Sequence, residues 1–153
     1  MSKPHILIVE APYYTELAAE LRAGVIEALD AAGATHEILA VPGAFEVPAA
    51  IAHAAGLFRE DEEDACPYDG FCALGFVIRG ETTHFDLVSE AATNALQDLA
   101  VRDGLAIGYG IFTAENDDQA WARARRSDKN KGREVAEACL AMVAVKARFA
   151  GTR

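Results

Sequence analysis

Short apolar, β-rich runs alternate with segments of helical period along this whole chain, and that alternation restricts the possible folds more than any other feature. His5–Glu10 is a β-rich run closed by Ala11-Pro12. From Tyr13 to Ala32 the pattern turns helical: Leu17, Leu21, Val25 and Leu29 share a face, Ala18 and Ile26 widen it, and Gly33 ends it. His36–Val41 reads as a second strand, ended by Pro42-Gly43. Phe45–Phe58 reads as a helix with Val47, Ala50, Ile51, Ala54 and Leu57 on one face, and Pro48 is tolerable there because it falls in the first turn. Asp69–Ile78 is apolar on both parities, as expected of a strand covered on both faces. Thr82–Val101 is expected to be a long helix burying Leu87, Val88, Ala91, Ala95, Leu96 and Leu99. Leu105–Phe112 follows as a strand, Gln119–Ala124 as a short helix, and Gly132–Phe149 as a longer one using Val135, Cys139, Met142, Val143 and Ala147.

Such alternation implies a parallel sheet with helices on both faces, joined by right-handed crossovers. The expected architecture is a flavodoxin-like three-layer α/β/α sandwich around a four-stranded sheet, one domain over residues 1–153. Lys and Arg total 14 against 24 Asp and Glu, a formal charge of −10 that repels phosphate backbones and anionic lipid heads. Nucleic acid and membrane surfaces are therefore not expected partners, and an anionic substrate needs a local device that defeats the global charge. Cys66, Cys72 and Cys139 leave one thiol over in any disulfide scheme and show no metal-ligand spacing, so they read as reduced, small buried hydrophobes. The opening residues are too short for a secretory signal and lack a cleavage site, and with the thiols this points to the cytoplasm. The run Glu60-Asp61-Glu62-Glu63-Asp64 lacks the glycine turn of a calcium loop and reads as solvated loop within residues 59–67.

Ligands of open parallel sheets sit beyond the carboxyl ends of the strands. The third strand runs out through Val77-Ile78-Arg79-Gly80-Glu81-Thr82-Thr83-His84, a tight turn into a helix that starts with hydroxyl residues. A helix amino end carries partial positive charge and unpaired N–H groups, so this segment reads either as an anion site, with Thr82 and Thr83 donating to the anion, or as an ordinary helix start that they cap. His84, in the first turn, is suited to moving a proton beside it. Pro42-Gly43-Ala44-Phe45-Glu46 offers backbone N–H groups, an aromatic ring and a carboxylate at one rim, and Tyr13 and Tyr14 either stack on a planar ring or cover the sheet end. Between Trp121 and Lys131 lies the one dense basic cluster, a solvated face or a patch for an anionic substrate.

Together these segments resemble the lumazine synthase family of riboflavin biosynthesis. The likeness covers essentially the whole chain and rests on Pro42-Gly43-Ala44-Phe45-Glu46-Val47-Pro48, Ala73-Leu74-Gly75, Val77-Ile78-Arg79-Gly80, Thr82-Thr83-His84-Phe85-Asp86, Thr113-Ala114-Glu115-Asn116 and Asn130-Lys131-Gly132. It implies condensation of 5-amino-6-ribitylaminouracil with 3,4-dihydroxy-2-butanone 4-phosphate, without metal or redox cofactor. On the family pattern Tyr13 stacks on the pyrimidine, Ala44 and Glu46 hold the ribityl chain with Phe45 beside them, and the backbone of Val77 and Ile78 contacts the pyrimidine. Gly80, Glu81, Thr82 and Arg123 line the phosphate site, and His84 is the acid–base residue. Tyr109 matches an aromatic supplied across a subunit interface, and Lys131 a nearby lysine. The resemblance further implies a homo-oligomer, a pentamer or a multiple of pentamers, with riboflavin synthase as a possible downstream partner.

The chain departs from that pattern at Pro12, where the family usually has Arg, at Phe76 in place of Thr, and at Glu81 in place of a small residue. Arg125-Arg126-Ser127-Asp128 replaces a glycine-containing kink typical of capsid-forming members, which favours a pentamer or a pair of pentamers. The alternative is a lumazine- or flavin-binding module without turnover, favoured by Phe76 and Pro12 and opposed by the joint presence of His84, Arg123 and Thr82. A response-regulator-like domain would need an acidic cluster at the first strand end and a phosphorylatable Asp after the third; Val9-Glu10-Ala11-Pro12 and Ile78-Arg79-Gly80 supply neither.

Overall fold

β1 (His5–Ala11) is an inner strand of a four-stranded sheet in which every pairing is parallel. It pairs on one side with β2 (Thr35–Ala40) and on the other with β3 (Gly70–Ile78), which in turn pairs with β4 (Ile107–Ala114), giving the order β2-β1-β3-β4. The computed structural model describes residues 3–61, 65–80 and 83–150. With five α-helices on this sheet among the described residues, the chain is an α/β protein of the expected kind. No described helix is long and apolar enough to cross a membrane.

Each sheet face carries its own core. Ile6, Ile8, Cys72, Leu74 and Phe76 point to one side, under α1 (Thr15–Ala31), α4 (Asp117–Ala124) and α5 (Lys131–Phe149). Leu7, Val9, Phe71, Ala73 and Val77 point to the other, under α2 (Val47–Ala54) and α3 (His84–Arg102). β3 contributes to both faces and is buried from Gly70 to Val77, as its unbroken apolar run predicts. α1 buries Leu17, Ala18, Leu21, Val25 and Leu29, the stripe read from its spacing, and the chain leaves it through Gly33 at φ +76°. α5 comes close to α1 and β4 because Gly132 and Gly108 lack side chains. A Cβ on Gly132 would lie 2.4 Å from the Leu21 carbonyl oxygen, and one on Gly108 2.3 Å from that of Val135.

Four expectations need correction. The helix expected over Phe45–Phe58 is a single 3-10 turn at Ala44–Glu46 followed by α2, which stops at Ala54; Gly56 at φ +79° turns the chain away and leaves Leu57 and Phe58 exposed. α4 starts at Asp117 instead of Gln119, because the Asn116 side chain accepts a hydrogen bond from the Gln119 N–H while Gln119 Oε1 accepts one from the Glu115 N–H, each 2.9 Å. α3 is rotated from its expected stripe: Leu87 and Ala91 face out, and Phe85, Ser89, Ala92 and Leu96 face in. The Ser89 hydroxyl is satisfied at the Phe85 carbonyl, so a polar residue occupies a core position that a hydrophobic pattern passes over. The carboxyl half of α5 is exposed at Met142 and Phe149, and of its expected buried residues only Val135 and Cys139 are fully covered. Cys72 and Cys139 are buried thiols and Cys66 is half-buried. The adjacent Cys139 first, and burial second, push the Cys72 thiol well above its ordinary value, so it stays protonated.

Candidate active site

Between β1 and β3 the sheet order reverses, since the chain runs from β1 outward to β2 and then crosses to β3 on the other side. Connections leaving the strands there diverge, and a cavity of about 340 Å³ opens beyond their carboxyl ends. Tyr13 and Tyr14 wall it from the turn after β1, and Gly43 and Ala44 from the segment after β2. Phe76, Val77, Ile78 and Gly80 form the side at the end of β3, and His84, Phe85 and Val88 close it from the start of α3.

The Tyr13 ring is 75% exposed and stands edge-on to Tyr14, centroids 4.9 Å apart at 85°, so its face is open to a planar ligand. Tyr14 is half-buried; burial first, then Tyr13 and Asp117, push its phenol above the ordinary 10.0, and it stays a neutral hydroxyl. Opposite, the amino end of α3 brings the positive end of a helix dipole to the cavity. Thr83, at its N-cap position, makes no side-chain capping bond. Glu81 and Thr82 lie outside the described residues, as do Glu62, Glu63 and Asp64 of the acidic run.

Of the sequence-derived candidates, Tyr13, Ala44, Val77, Ile78, Gly80 and His84 meet on this one wall. Phe45 and Glu46 are exposed beside it, Glu46 turning a carboxylate oxygen back to within 3.0 Å of where a Gly43 Cβ would stand. The remaining candidates are elsewhere in the chain. Tyr109 lies on edge strand β4, 42% exposed, with its hydroxyl 2.8 Å from Thr93 Oγ1. Arg123 is half-buried in α4, its Nη1 donating to the Gln119 carbonyl at 2.9 Å. Lys131 opens α5 and pairs with Glu134 at 2.8 Å. The basic cluster is not one open cationic patch. Arg126 spans Glu20 and Glu27 of α1 at 2.5 and 2.6 Å, and Arg125 lies over the Trp121 ring at 5.1 Å.

Gly43, from the expected Pro-Gly rim, is on the wall as well, and Phe85 and Val88 are wall residues to which the sequence reading gave no role in the site, Val88 only a place in the helix stripe. Phe85 belongs to the true buried face of α3, which a stripe read through Ser89 would have found, and Val88 is half-buried beside it against the same core. Among the described residues no group of three or more His, Cys, Asp and Glu converges as a metal site.

Comparison with known proteins is decisive about kinship. The family model described as 6,7-dimethyl-8-ribityllumazine synthase matches residues 3–147. The chain belongs to the lumazine synthase family. A protein of that name from Agrobacterium fabrum is 55% identical over 99% of this chain and 100% of its own length. Relatives from Rhizobium meliloti, named 6,7-dimethyl-8-ribityllumazine synthase 1, and from Sphingopyxis alaskensis are 54% and 52% identical, each over 95% of this chain and over 93% and 96% of their own. These relatives are named as synthases, and no finding favours the binding-only alternative. Like them, this lumazine synthase family member is an enzyme. Two of its departures now have places: Phe76 lines the cavity with its ring 5.9 Å from Phe112, and Arg125–Asp128 lie in the turn between α4 and α5.

Proposed function

We propose that this cavity condenses 5-amino-6-ribitylaminouracil with 3,4-dihydroxy-2-butanone 4-phosphate to give 6,7-dimethyl-8-ribityllumazine, inorganic phosphate and water. The observation that carries the reading is the wall itself: an open aromatic face at Tyr13, the strand end Val77–Gly80, and His84 at a helix amino end, in a chain of this family. Tyr13 stacks on the pyrimidine, whose edge meets the backbone of Val77 and Ile78. Ala44, Phe45 and Glu46 take the ribityl chain. Gly80, Glu81 and Thr82, at the amino end of α3, hold the phosphate. The uracil's primary amine attacks the ketone, the carbinolamine loses water to form the imine, phosphate leaves, and ring closure expels a second water. Each step moves protons, and His84 beside the leaving phosphate serves them as acid and base; such a group is worth about 10²–10⁴-fold in rate. Holding two substrates in register supplies much of the rest.

Charge supports the assembly proposed with it. A phosphate group entering a chain of net charge −10 needs cations. The cavity wall carries neither Arg123 nor Lys131. We infer a homo-oligomer, a pentamer or a multiple of it, in which Arg123, Lys131 and Tyr109 of one copy complete the site of the next. A cytoplasmic location fits the free thiols, and riboflavin synthase is a candidate consumer of the product. Mixing the purified protein with both substrates tests the reaction. Lumazine absorbance and phosphate release rising together support it, while tight binding of lumazine without turnover overturns it.

A further inference from the structure

Arg79 follows the last residue of β3, and its N–H donates to the Ala114 carbonyl at 2.9 Å, carrying the ladder with β4 one step past the strand. Its guanidinium then touches three things at once. The carbon lies 4.3 Å from the centroid of the Phe85 ring, Nε donates to Glu115 Oε2 at 2.8 Å, and Nη2 is 3.7 Å from Asp86 Oδ1. The side chain thereby ties the end of β3 and the residue after β4 to the first turn of α3. That turn carries His84 and the wall residue Phe85, and its N-cap residue Thr83 offers no side-chain capping bond.

We propose that Arg79 is a positioning residue for this reaction: by clamping Phe85 and Asp86 against Glu115 it sets where the first turn of α3 presents His84 to the cavity. The inference rests on the functional reading above. The ion pairs do not account for the clamp through stability, because the Arg79 side chain is 42% exposed and its two carboxylate partners are more so, and ion pairs of that kind add little. Nor does phosphate binding, since both flanking carboxylates already face the guanidinium. What the arrangement supplies is geometry, and small misplacements of a reacting group are costly.

The test is steady-state kinetics of Arg79→Met, Arg79→Lys and Glu115→Gln with each substrate varied in turn, beside thermal melts. Arg79→Met is expected to lower kcat about 10- to 100-fold while KM for both substrates stays within about twofold. Arg79→Lys, which keeps a cation over Phe85, recovers part of that loss. Glu115→Gln loses less than Arg79→Met, and the double variant loses no more than Arg79→Met, because the pair acts as one unit. Wild-type kcat in a folded Arg79→Met protein overturns the proposal. So does a rise confined to KM for the butanone phosphate, which would make Arg79 a ligand, or activity falling only in step with melting temperature. Should Arg79→Met fail to fold, Glu115→Gln decides, since it keeps the arginine and removes only its anchor. A wild-type protein that forms no product overturns the functional reading and this inference with it; an active wild type with unaffected variants overturns this inference alone.

Discussion

His84 stands on the cavity wall and Arg123 half-buried in α4, and the proposed chemistry asks different things of them. His84→Ala is expected to lower kcat by about 10²–10⁴-fold with little change in KM for the butanone phosphate. Arg123→Ala is expected mainly to raise that KM. Equal losses in both parameters for both variants would contradict the division, and steady-state assays read it directly. A second single-residue test lies under the site. Glu10 is 5% exposed at the end of β1, and Arg22 Nη1 donates to both its carboxylate oxygens at 2.6 and 2.9 Å. Arg22→Met strands a buried carboxylate and is expected to cost about 3 kcal/mol in urea unfolding, the low end for a broken buried pair because Arg22 is partly solvated. A loss below about 1 kcal/mol would mean that water already screens it. At this scale the sequence was most informative where a candidate residue lies close to its own strand end. Tyr13, Ala44, Val77, Ile78, Gly80 and His84 are each within a few positions of one, and all share the wall.

Among the elements, α5 depends on the absence of a side chain. Gly132→Ala would drive a methyl group into the Leu21 carbonyl, with Val25 N at 2.9 Å as well, so α5 must shift from α1. The expected cost is about 1–3 kcal/mol and a lower melting temperature; a wild-type melt would mean that the helices separate freely. At the opposite end of the sheet, His5 bonds Glu37 at 2.9 Å across β1 and β2. That hydrogen bond first, and one to Tyr68 second, hold the Glu37 carboxyl below its ordinary 4.5. A depressed carboxylate contributes stability that is complete above its unfolded value and is lost as pH falls through the folded one. Urea midpoints of the wild type should therefore fall more steeply than those of Glu37→Gln as pH drops below about 4.5. Parallel curves would show that the bond carries no linkage. Periodicity served the elements unevenly. It placed the α1 stripe because every buried position there is apolar, and it misjudged α3 because Ser89 is buried and Leu87 is 64% exposed.

Assembly belongs to the whole molecule, and complementation examines it. Where His84 and Arg123 of one site come from neighbouring copies, each variant keeps what the other lacks. Mixed oligomers of His84→Ala and Arg123→Ala should then regain about one quarter of wild-type activity by random assortment around a head-to-tail ring. Activity no greater than that of the separate variants would place both residues of a site in one chain. Light scattering on the same samples gives the copy number. The faces a neighbour would cover include exposed apolar groups at both edges of the sheet: Ile38 and Leu39 on β2, Tyr109 on β4.

The order of strands and helices, the doubly covered β3, the helical stripe of α1 and the carboxyl-end location of the cavity were all determined by the sequence itself. Each follows from short-range causes: backbone preference, side-chain period, and turns built from Pro and Gly. The capping pair Asn116 and Gln119 was legible by the same logic, although apolar spacing alone starts α4 too late. Only the tertiary structure decided which charges are spent. Arg126 meets Glu20 and Glu27 across separations of 106 and 99 residues, so the densest basic run is partly neutralised. It also decided that Arg79 bridges β3, β4 and α3, and that Gly132 must be bare where α5 meets α1. Partners of that kind depend on which surfaces the folded sheet brings within a few ångströms, and no local preference along the chain encodes them.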